Sequence, residues 1–571
     1  MTPDFVAPPV KQKTLSREEP YALTDDGLYV RSADRLVRIC SPLHPHGYAI
    51  DSNGSGPARI IRIQTLAGWA IIELPETLLA QPRDLELALI DYGVELESAI
   101  DAITHISAYL KSLPKLPLHK RVRRDGWINH DGSGGYAFGE KLYDATGTTP
   151  VIRPADQDQT RECKGSVDEW LACTRLLEAN PLPLSAVCFA LAASLLRPLG
   201  HSSFSVSIVG QSSSGKSTLL RLAQSLLTCP QPLATWAGTV NGLLARAVAH
   251  NDLPFILDEI GQAVPRDLSQ LIYDLTNGTG KLRAAPDGGA ATPSYVSTVI
   301  ITAGEESVFD RMSRVGHAPT GGHRARFVTL NVKGQQGIVS DFQGSSDSAA
   351  YVRNLTSMFR QTYGVAWPAY IQHVAKHLDE LKAEYTRVRD RIREGIAAGF
   401  TLDDFDNIES RVLDHFAIAA FAGYVAVDAK VIDLPKAAIG QAMRACFSNW
   451  LDGSISGRGA SAKAIIRDVQ AHLRKHKNKM PAFADFDKHE VQQPFGYRRT
   501  SDSDNESVLL IRPSALEPLK SKYGEREFHD ALRSSGFLIP GSGDRPTKQV
   551  KVPQGDGQKF NAYVLRECLL L

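Results

Sequence analysis

Net charge is almost absent from this chain. Its 64 Lys and Arg balance 63 Asp and Glu, leaving +1 at pH 7. No global pull toward nucleic acid follows, so any such site must be local. Cysteine is scarce as well. The seven cysteines (Cys40, Cys163, Cys173, Cys188, Cys229, Cys446 and Cys568) form no C-x-x-C pair and no zinc-binding spacing. An odd, scattered set points to reduced thiols in a cytoplasm. The stretch Met1 to Pro20 lacks the apolar core of a secretory signal and reads as a loose tail. Long hydrophobic runs are missing too. The most apolar stretch, Leu182 to Leu199, is broken by Pro and Ser and reads as a buried helix, not a membrane span. Internal repeats and low-complexity tracts are lacking. What remains is an ordinary globular composition, 43% hydrophobic and 22% charged over 571 residues, enough for three or four domains.

The most specific feature present is a glycine loop. Gly210, Gln211, Ser212, Ser213, Ser214, Gly215, Lys216 and Ser217 read G-x-x-x-x-G-K-S. The apolar run Phe204 to Val209 precedes the loop, and a helix-like run from Thr218 follows it. This is the strand, loop and helix order that a phosphate-binding loop requires. Backbone N–H groups of the loop and the helix dipole would hold the phosphates of ATP, with Thr218 completing the set. Lys216 would reach the β- and γ-phosphates, and the Ser217 hydroxyl would sit on Mg²⁺. About forty residues on, Phe255-Ile256-Leu257 runs into Asp258 and Glu259. Asp258 at the end of a buried strand would support Mg²⁺, and Glu259 would polarise a water for attack on the γ-phosphate. The adjacent glutamate favours hydrolysis over transfer.

Further residues complete a nucleotide-driven reading. Thr302, after the β-branched run Val296 to Ile301, is the candidate for linking the γ-phosphate to the water; the alternative is a hydroxyl that closes a strand end. Arg326, or Arg324 as second choice, is the candidate finger entering a neighbour's site; the alternative is a pair of surface charges. Arg411 is a candidate phosphate contact from a helical lid, or else a partner of Glu409 or Asp414. The segment Gly278 to Gly289 reads as a β-hairpin. Its Lys281 and Arg283 would touch nucleic-acid phosphates, or the hairpin is a solvated or intersubunit feature. Basic clusters at His119 to Arg124 and Arg474 to Lys479 fit either duplex contacts or solvated helix ends. Trp69, Trp127 and Trp236 read as core residues.

Periodicity divides the chain. Short alternating runs from Tyr21 to about Ala80 make a β-rich module, followed by a helical segment near Asp84 to Leu113 and strands from Arg121 to Phe138. Arg153 to Asp168 reads as a link. Strands and helices then alternate to about Val332, which suggests a parallel sheet with crossover helices. Residues 350 to 450 read as helices, Gly453 to Gly459 as a linker, and the remainder as mixed.

The chain resembles the family catalogued as domain of unknown function 927. The residues that carry the resemblance include Asp26-Gly27-Leu28-Tyr29, Gly68-Trp69, Asp125-Gly126-Trp127-Ile128, the loop Gly210 to Ser217, Leu257-Asp258-Glu259, Asn277 to Lys281, Thr302-Ala303-Gly304-Glu305 and Phe416 to Gly423. It covers about residues 20 to 571. Members are similar to self-loading, MCM-like helicases of staphylococcal cassette chromosomes. The resemblance implies an α/β fold. A loose tail (1–20) would precede an N-terminal β-rich domain (21–165), an AAA+ P-loop core (166–335), a helical lid region (336–457) and a C-terminal winged-helix-like domain (458–571). It implies a hexameric ring that unwinds single-stranded or forked DNA 3′-to-5′ with ATP and Mg²⁺ during replication of a phage or mobile element. Arg326 would be the finger and Lys281 to Gly289 a pre-sensor hairpin. A primase or polymerase would come from another chain, and no membrane is expected. The alternatives are an ATP-dependent initiator or loader switch without processive unwinding, and a partner-directed AAA+ ATPase.

Overall fold

Short strands build the first part of the molecule. The computed structural model describes residues 20–567 apart from 33–34, 52–53, 66–67, 99, 123, 130–131, 152–160, 279–294, 318, 401, 403–404, 456–461, 490–493, 501–506 and 554–558. The expected tail therefore lies outside the described residues except for Pro20. The chain separates into two units, one up to Arg161 together with Ala375–His377, and one formed by the rest.

In the first unit, β1 (Tyr21–Leu23), β2 (Leu28–Ser32) and β3 (Arg35–Cys40) pair antiparallel. A second sheet comprises β4 (Leu43–Asp51), β5 (Ala58–Thr65), β6 (Gly68–Pro75) and β7 (Leu118–Arg121) in the order β6-β5-β4-β7. A meander of β8 (Gly126–Trp127), β9 (Tyr136–Phe138), β10 (Lys141–Asp144) and β11 (Gly147–Pro150) follows. The expected helical segment is two helices, Pro82–Asp91 and Ala102–Ser112. Asp101 caps the second by accepting from Thr104 N at 3.2 Å. Side chains alternate across a strand, so Ile61 and Ile63 enter the core with Ile72, Leu74, Leu85 and Leu110. The same alternation turns Trp69 and Ile71 outward. Trp69 is 42% exposed, which corrects its assignment to the core, whereas Trp127 and Trp236 are buried as expected. In the basic cluster at 119–124, Arg121 is buried against Glu73 (2.6 Å) and Asp51 (3.1 Å), so that cation is structural.

The second unit is built on a parallel sheet. β12 (Phe204–Val209), β13 (Ala234–Thr235), β14 (Phe255–Asp258), β15 (Val299–Gly304) and β16 (Phe327–Asn331) lie in the order β13-β14-β15-β12-β16. Every pairing is parallel. β15 is buried at all six positions, as a strand covered on both faces must be. Helix Val167–Arg175, opened by a Ser166–Glu169 capping box, leads into helix Pro181–Ala192. Leu184 to Ala192 of the latter are all buried. Five further helices follow the sheet: Ser348–Gln361, Ala366–Lys376, Leu378–Ile396, Asn407–Asp428 and Lys436–Ile455. Among the described residues Asn407–Asp428 alone is long and apolar enough to cross a membrane, and 72% of its apolar window is buried inside the protein. Gly453 lies within helix Lys436–Ile455, not in a linker. A Cβ there would meet Asn331 Nδ2 at 2.6 Å, so the glycine lets the helix approach the end of β16.

The remainder pairs β17 (Gly496–Thr500), β18 (Ser507–Ile511), β19 (Leu538–Ile539), β20 (Lys548–Lys551) and β21 (Lys559–Arg566) in the order β17-β18-β21-β19, with β20 also on β21. Helices Ala462–Lys475, Glu517–Tyr523 and Glu525–Ser534 accompany this sheet. An aromatic core of Phe483, Phe486, Tyr497 and Phe560 holds it together.

Candidate nucleotide site

The glycine loop sits where β12 gives way to helix Lys216–Ser225. Two residues of the loop are left-handed, Ser213 (φ 60°) and Gly215 (φ 91°). Such kinks turn successive N–H groups to one side and make an anion-binding concavity. The loop is walled closely. A Cβ on Gly210 would meet Val332 Cβ at 2.8 Å, and one on Gly215 would meet Ile338 Cγ1 at 2.8 Å. Gly210 N donates to Gly304 O (3.2 Å), and Ile338 N donates to Ser214 O (3.1 Å). Lys216 is buried, and its ammonium donates to Gly210 O (2.9 Å) and Gln211 O (2.6 Å) across the loop. The side chain of half-buried Ser217 makes no hydrogen bond among the described residues, which leaves its hydroxyl available.

The two acids lie on the same edge of the sheet. Val209 pairs with Gly304 and Leu257 with Thr302, so Glu259 stands level with the last residue of β12. β15 lies between them, which sets the acids and the loop two strand spacings apart, about 10 Å. Asp258 Oδ1 accepts from Glu259 N at 2.9 Å. Glu259 is exposed and left-handed at φ 56°, ψ 68°. A non-glycine residue held there stores strain, and its neighbours must impose it. Ile260 is fully buried against Gly304, where any Cβ would run into Ile260 Cγ2. Arg311 donates to Gly261 O (2.8 Å) and Ala263 O (2.9 Å), and Glu306 Oε1 holds Arg311 at 2.8 Å. This clamp had no local sequence signal, because its members lie about fifty residues apart. Gly304→Ala is expected to destabilise the protein by about 1–3 kcal/mol through overpacking, read by chemical denaturation.

Thr302 is not at a strand end. β15 continues through Ala303 to Gly304, which leaves Thr302 fully buried two positions short of the edge. Its Oγ1 accepts from Trp236 Nε1 at 2.7 Å. The hydroxyl is thus committed inside the protein, and the assignment to the attacking water is withdrawn. Lys281 and Arg283 lie outside the described residues.

Arg326 and Arg411 meet at the opposite edge. Arg326 precedes Phe327, which pairs with Ser205, so Arg326 stands level with Phe204. Val209 is five positions further along, about 16 Å of strand. The Arg326 guanidinium lies over the Tyr273 ring (5.2 Å) and donates to Gly322 O at 3.1 Å. It lines a cleft of about 440 Å³ that Arg411 also lines, together with Arg389, Asp390, Asp414 and His201. Arg411 is exposed and makes no hydrogen bond or ion pair among the described residues. Neither arginine faces the loop of its own chain, so a contact from Arg411 to phosphates held by that loop is also withdrawn. Arg324 differs: it lies over the Phe309 ring at 5.6 Å, and burial lowers its pKa.

Two histidines support this cleft. His415 stacks on Phe204 at 4.1 Å and donates from Nε2 to Ala325 O at 3.0 Å, fixing the backbone beside Arg326. Burial pushes its pKa down to about 3. His201 pairs with Tyr385 Oη at 2.8 Å, and burial lowers its pKa to about 4. Both are neutral in the fold, and the unfolded chain, titrating near 6.5, binds protons first as pH falls. Their contribution to stability is complete above that pH and is lost as the pH falls toward 4 and then 3. Thermal unfolding is expected to show Tm dropping below about pH 6.5, less steeply in His415→Gln. Identical profiles for the two proteins would remove His415 from this role.

The arrangement defines a class: a glycine loop of the phosphate-binding pattern and paired acids on the carboxyl edge of a parallel α/β sheet. Residues 21–294 match the family described as "Domain of unknown function (DUF927)". A solved structure described as "SCCmec type IV Cch - active helicase" is similar over 98% of this chain and 100% of its own, with 19% identity and a TM-score of 0.61. That likeness shows a shared fold along nearly the whole chain. Another, described as "The A form apo structure of NrS-1 C terminal region-CTR", is 10% identical over 67% of this chain and 86% of its own. Its TM-score of 0.24 carries no argument. No curated protein matches the sequence.

Proposed function

We propose that this protein is an ATP-dependent AAA+ DNA helicase, a hexameric ring that translocates on DNA and unwinds it in replicating a phage or mobile element. One observation carries the reading. The glycine loop with Asp258 and Glu259 occupies one edge of the sheet, and Arg326 with Arg411 occupies the other. A complete hydrolytic site then needs two copies arranged head to tail, and a head-to-tail contact that closes makes a ring. The fold shared along nearly the whole chain with a structure described as an active helicase supports the helicase reading.

In this reading Gly210 to Thr218 bind the triphosphate of ATP, with Lys216 turning from its loop carbonyls to the β- and γ-oxygens. Ser217 and Asp258 would hold Mg²⁺, which would supply positive charge beside the phosphates. Glu259 takes a proton from the attacking water. Arg326 and Arg411 of the neighbouring copy meet the γ-phosphate. Residues 166–335 form the AAA+ core, 336–457 the helical lid and 458–571 the winged-helix-like domain; Lys281 and Arg283 serve as strand contacts within the core.

The test is unwinding of a forked duplex with ATP and Mg²⁺, using 3′- and 5′-tailed forks beside Lys216→Ala. Unwinding that requires Lys216 and a 3′ tail is expected. ATP hydrolysis stimulated by DNA without strand separation would replace the helicase with a loader or switch.

A further inference from the structure

The outer face of the β6-β5-β4-β7 sheet carries an aromatic platform that the nucleotide chemistry does not use. Trp69 sits on β6, the edge strand, and is 42% exposed; Ile71, on the same face, is 50% exposed. Register sets His44, Arg62 and Ile71 in one row across β4, β5 and β6, and Gln64 with Trp69 in the next. The Arg62 guanidinium lies 4.4 Å from the Trp69 ring centroid. The His44 ring meets Trp69 edge-on at 5.3 Å. Arg62 is exposed, and its side chain makes no hydrogen bond or ion pair among the described residues.

These contacts are unusual for an idle surface. A large indole is normally buried, and an exposed cation normally stays in water or finds a carboxylate. Here the two hold each other in place, and the ring keeps much of its area open. Among the described residues no carboxylate pairs with Arg62. Glu73 and Asp51 are bound to Arg121. Asp25 acts on His44, but burial and Arg62 together lower the pKa of that imidazole, which leaves it a neutral aromatic. The face therefore offers a flat π-surface, a neutral aromatic edge and one free positive charge.

We propose that this face binds single-stranded nucleic acid, with a base stacked on Trp69 and a backbone phosphate at Arg62. Planar bases strung on an anionic backbone match both halves of the platform, and stacking needs no particular base. An acidic protein surface would satisfy Arg62 but leave the indole uncovered. β6 has an open edge, so no strand of this sheet blocks an extended chain from running along it. The inference rests on the helicase reading for its choice of nucleic acid over other aromatic anions.

The test is fluorescence anisotropy of labelled oligo-dT and oligo-U on the full chain, without nucleotide, at several salt concentrations. Trp69→Ala is expected to weaken binding about tenfold or more, while Trp69→Phe stays near wild type. Arg62→Ala should reduce the slope of log affinity against log salt by about one. The oligonucleotide on which affinity is lost identifies the strand as DNA or RNA. Wild-type affinity and slope in Trp69→Ala and Arg62→Ala on both oligonucleotides overturns the proposal. So does a changed oligomeric state in Trp69→Ala with unchanged oligonucleotide affinity, which would make the face a contact between copies. ATP hydrolysis without DNA, measured in parallel, should be unchanged in all three variants. Its absence in the wild-type protein would count against the nucleotide site, not the platform.

Discussion

Glu259→Gln is expected to lower ATP turnover by about 100-fold or more, with nucleotide affinity close to wild type. The carboxylate is exposed at the edge of the sheet, and its backbone is held at φ 56°. Glutamine preserves shape and the strained backbone but cannot accept the proton. Lys216→Ala should behave differently, because Lys216 belongs to the binding loop; nucleotide affinity and turnover should fall together. Equilibrium binding of a fluorescent ATP analogue separates the two. Full turnover in Glu259→Gln would remove that residue as the base.

Arg326→Ala is expected to reduce turnover about 1,000-fold or more, with nucleotide binding retained. The argument is one of reach. Arg326 stands level with Phe204 while the loop begins beyond Val209, and an extended arginine does not span about 16 Å of strand together with its own loop. On the proposed reading, the charge it supplies serves another copy. Arg324→Ala should act otherwise, since that side chain is drawn into the protein over Phe309. Its loss should show first as lower stability. Steady-state hydrolysis beside thermal unfolding for both variants makes the distinction.

Much of the edge that carries the glycine loop was legible because its geometry constrains residue type. Gly215 is left-handed and pressed against Ile338, and Gly210 lies against Val332, so glycine there is a steric demand that leaves a motif. The acids follow an apolar run because the strand that carries them is buried. Strand length was harder to read. Ala303 and Gly304 are small but fully buried, so β15 extends past Thr302, and a hydroxyl in an apolar run looked like an end when it was a core partner of Trp236. Gly453 resembled a linker because close helix packing and flexibility favour the same residue. Trp69 had a signal: it shares its face with Arg62 and Gln64, and alternation from buried Ile72 turns it outward. The grouping of Arg326, Arg411 and His415 had none, since tertiary packing joins segments about ninety residues apart.

The most direct test of a site shared between copies is mixing two inactive proteins, Glu259→Gln and Arg326→Ala. An interface formed by the glutamate of one and the arginine of the other is intact. If the arginine acts on its neighbour, hydrolysis reappears on mixing, near about a quarter of wild type for random equimolar assembly with independent interfaces. Activity that stays at the mean of the two parents would contradict the account and return Arg326 to a structural role.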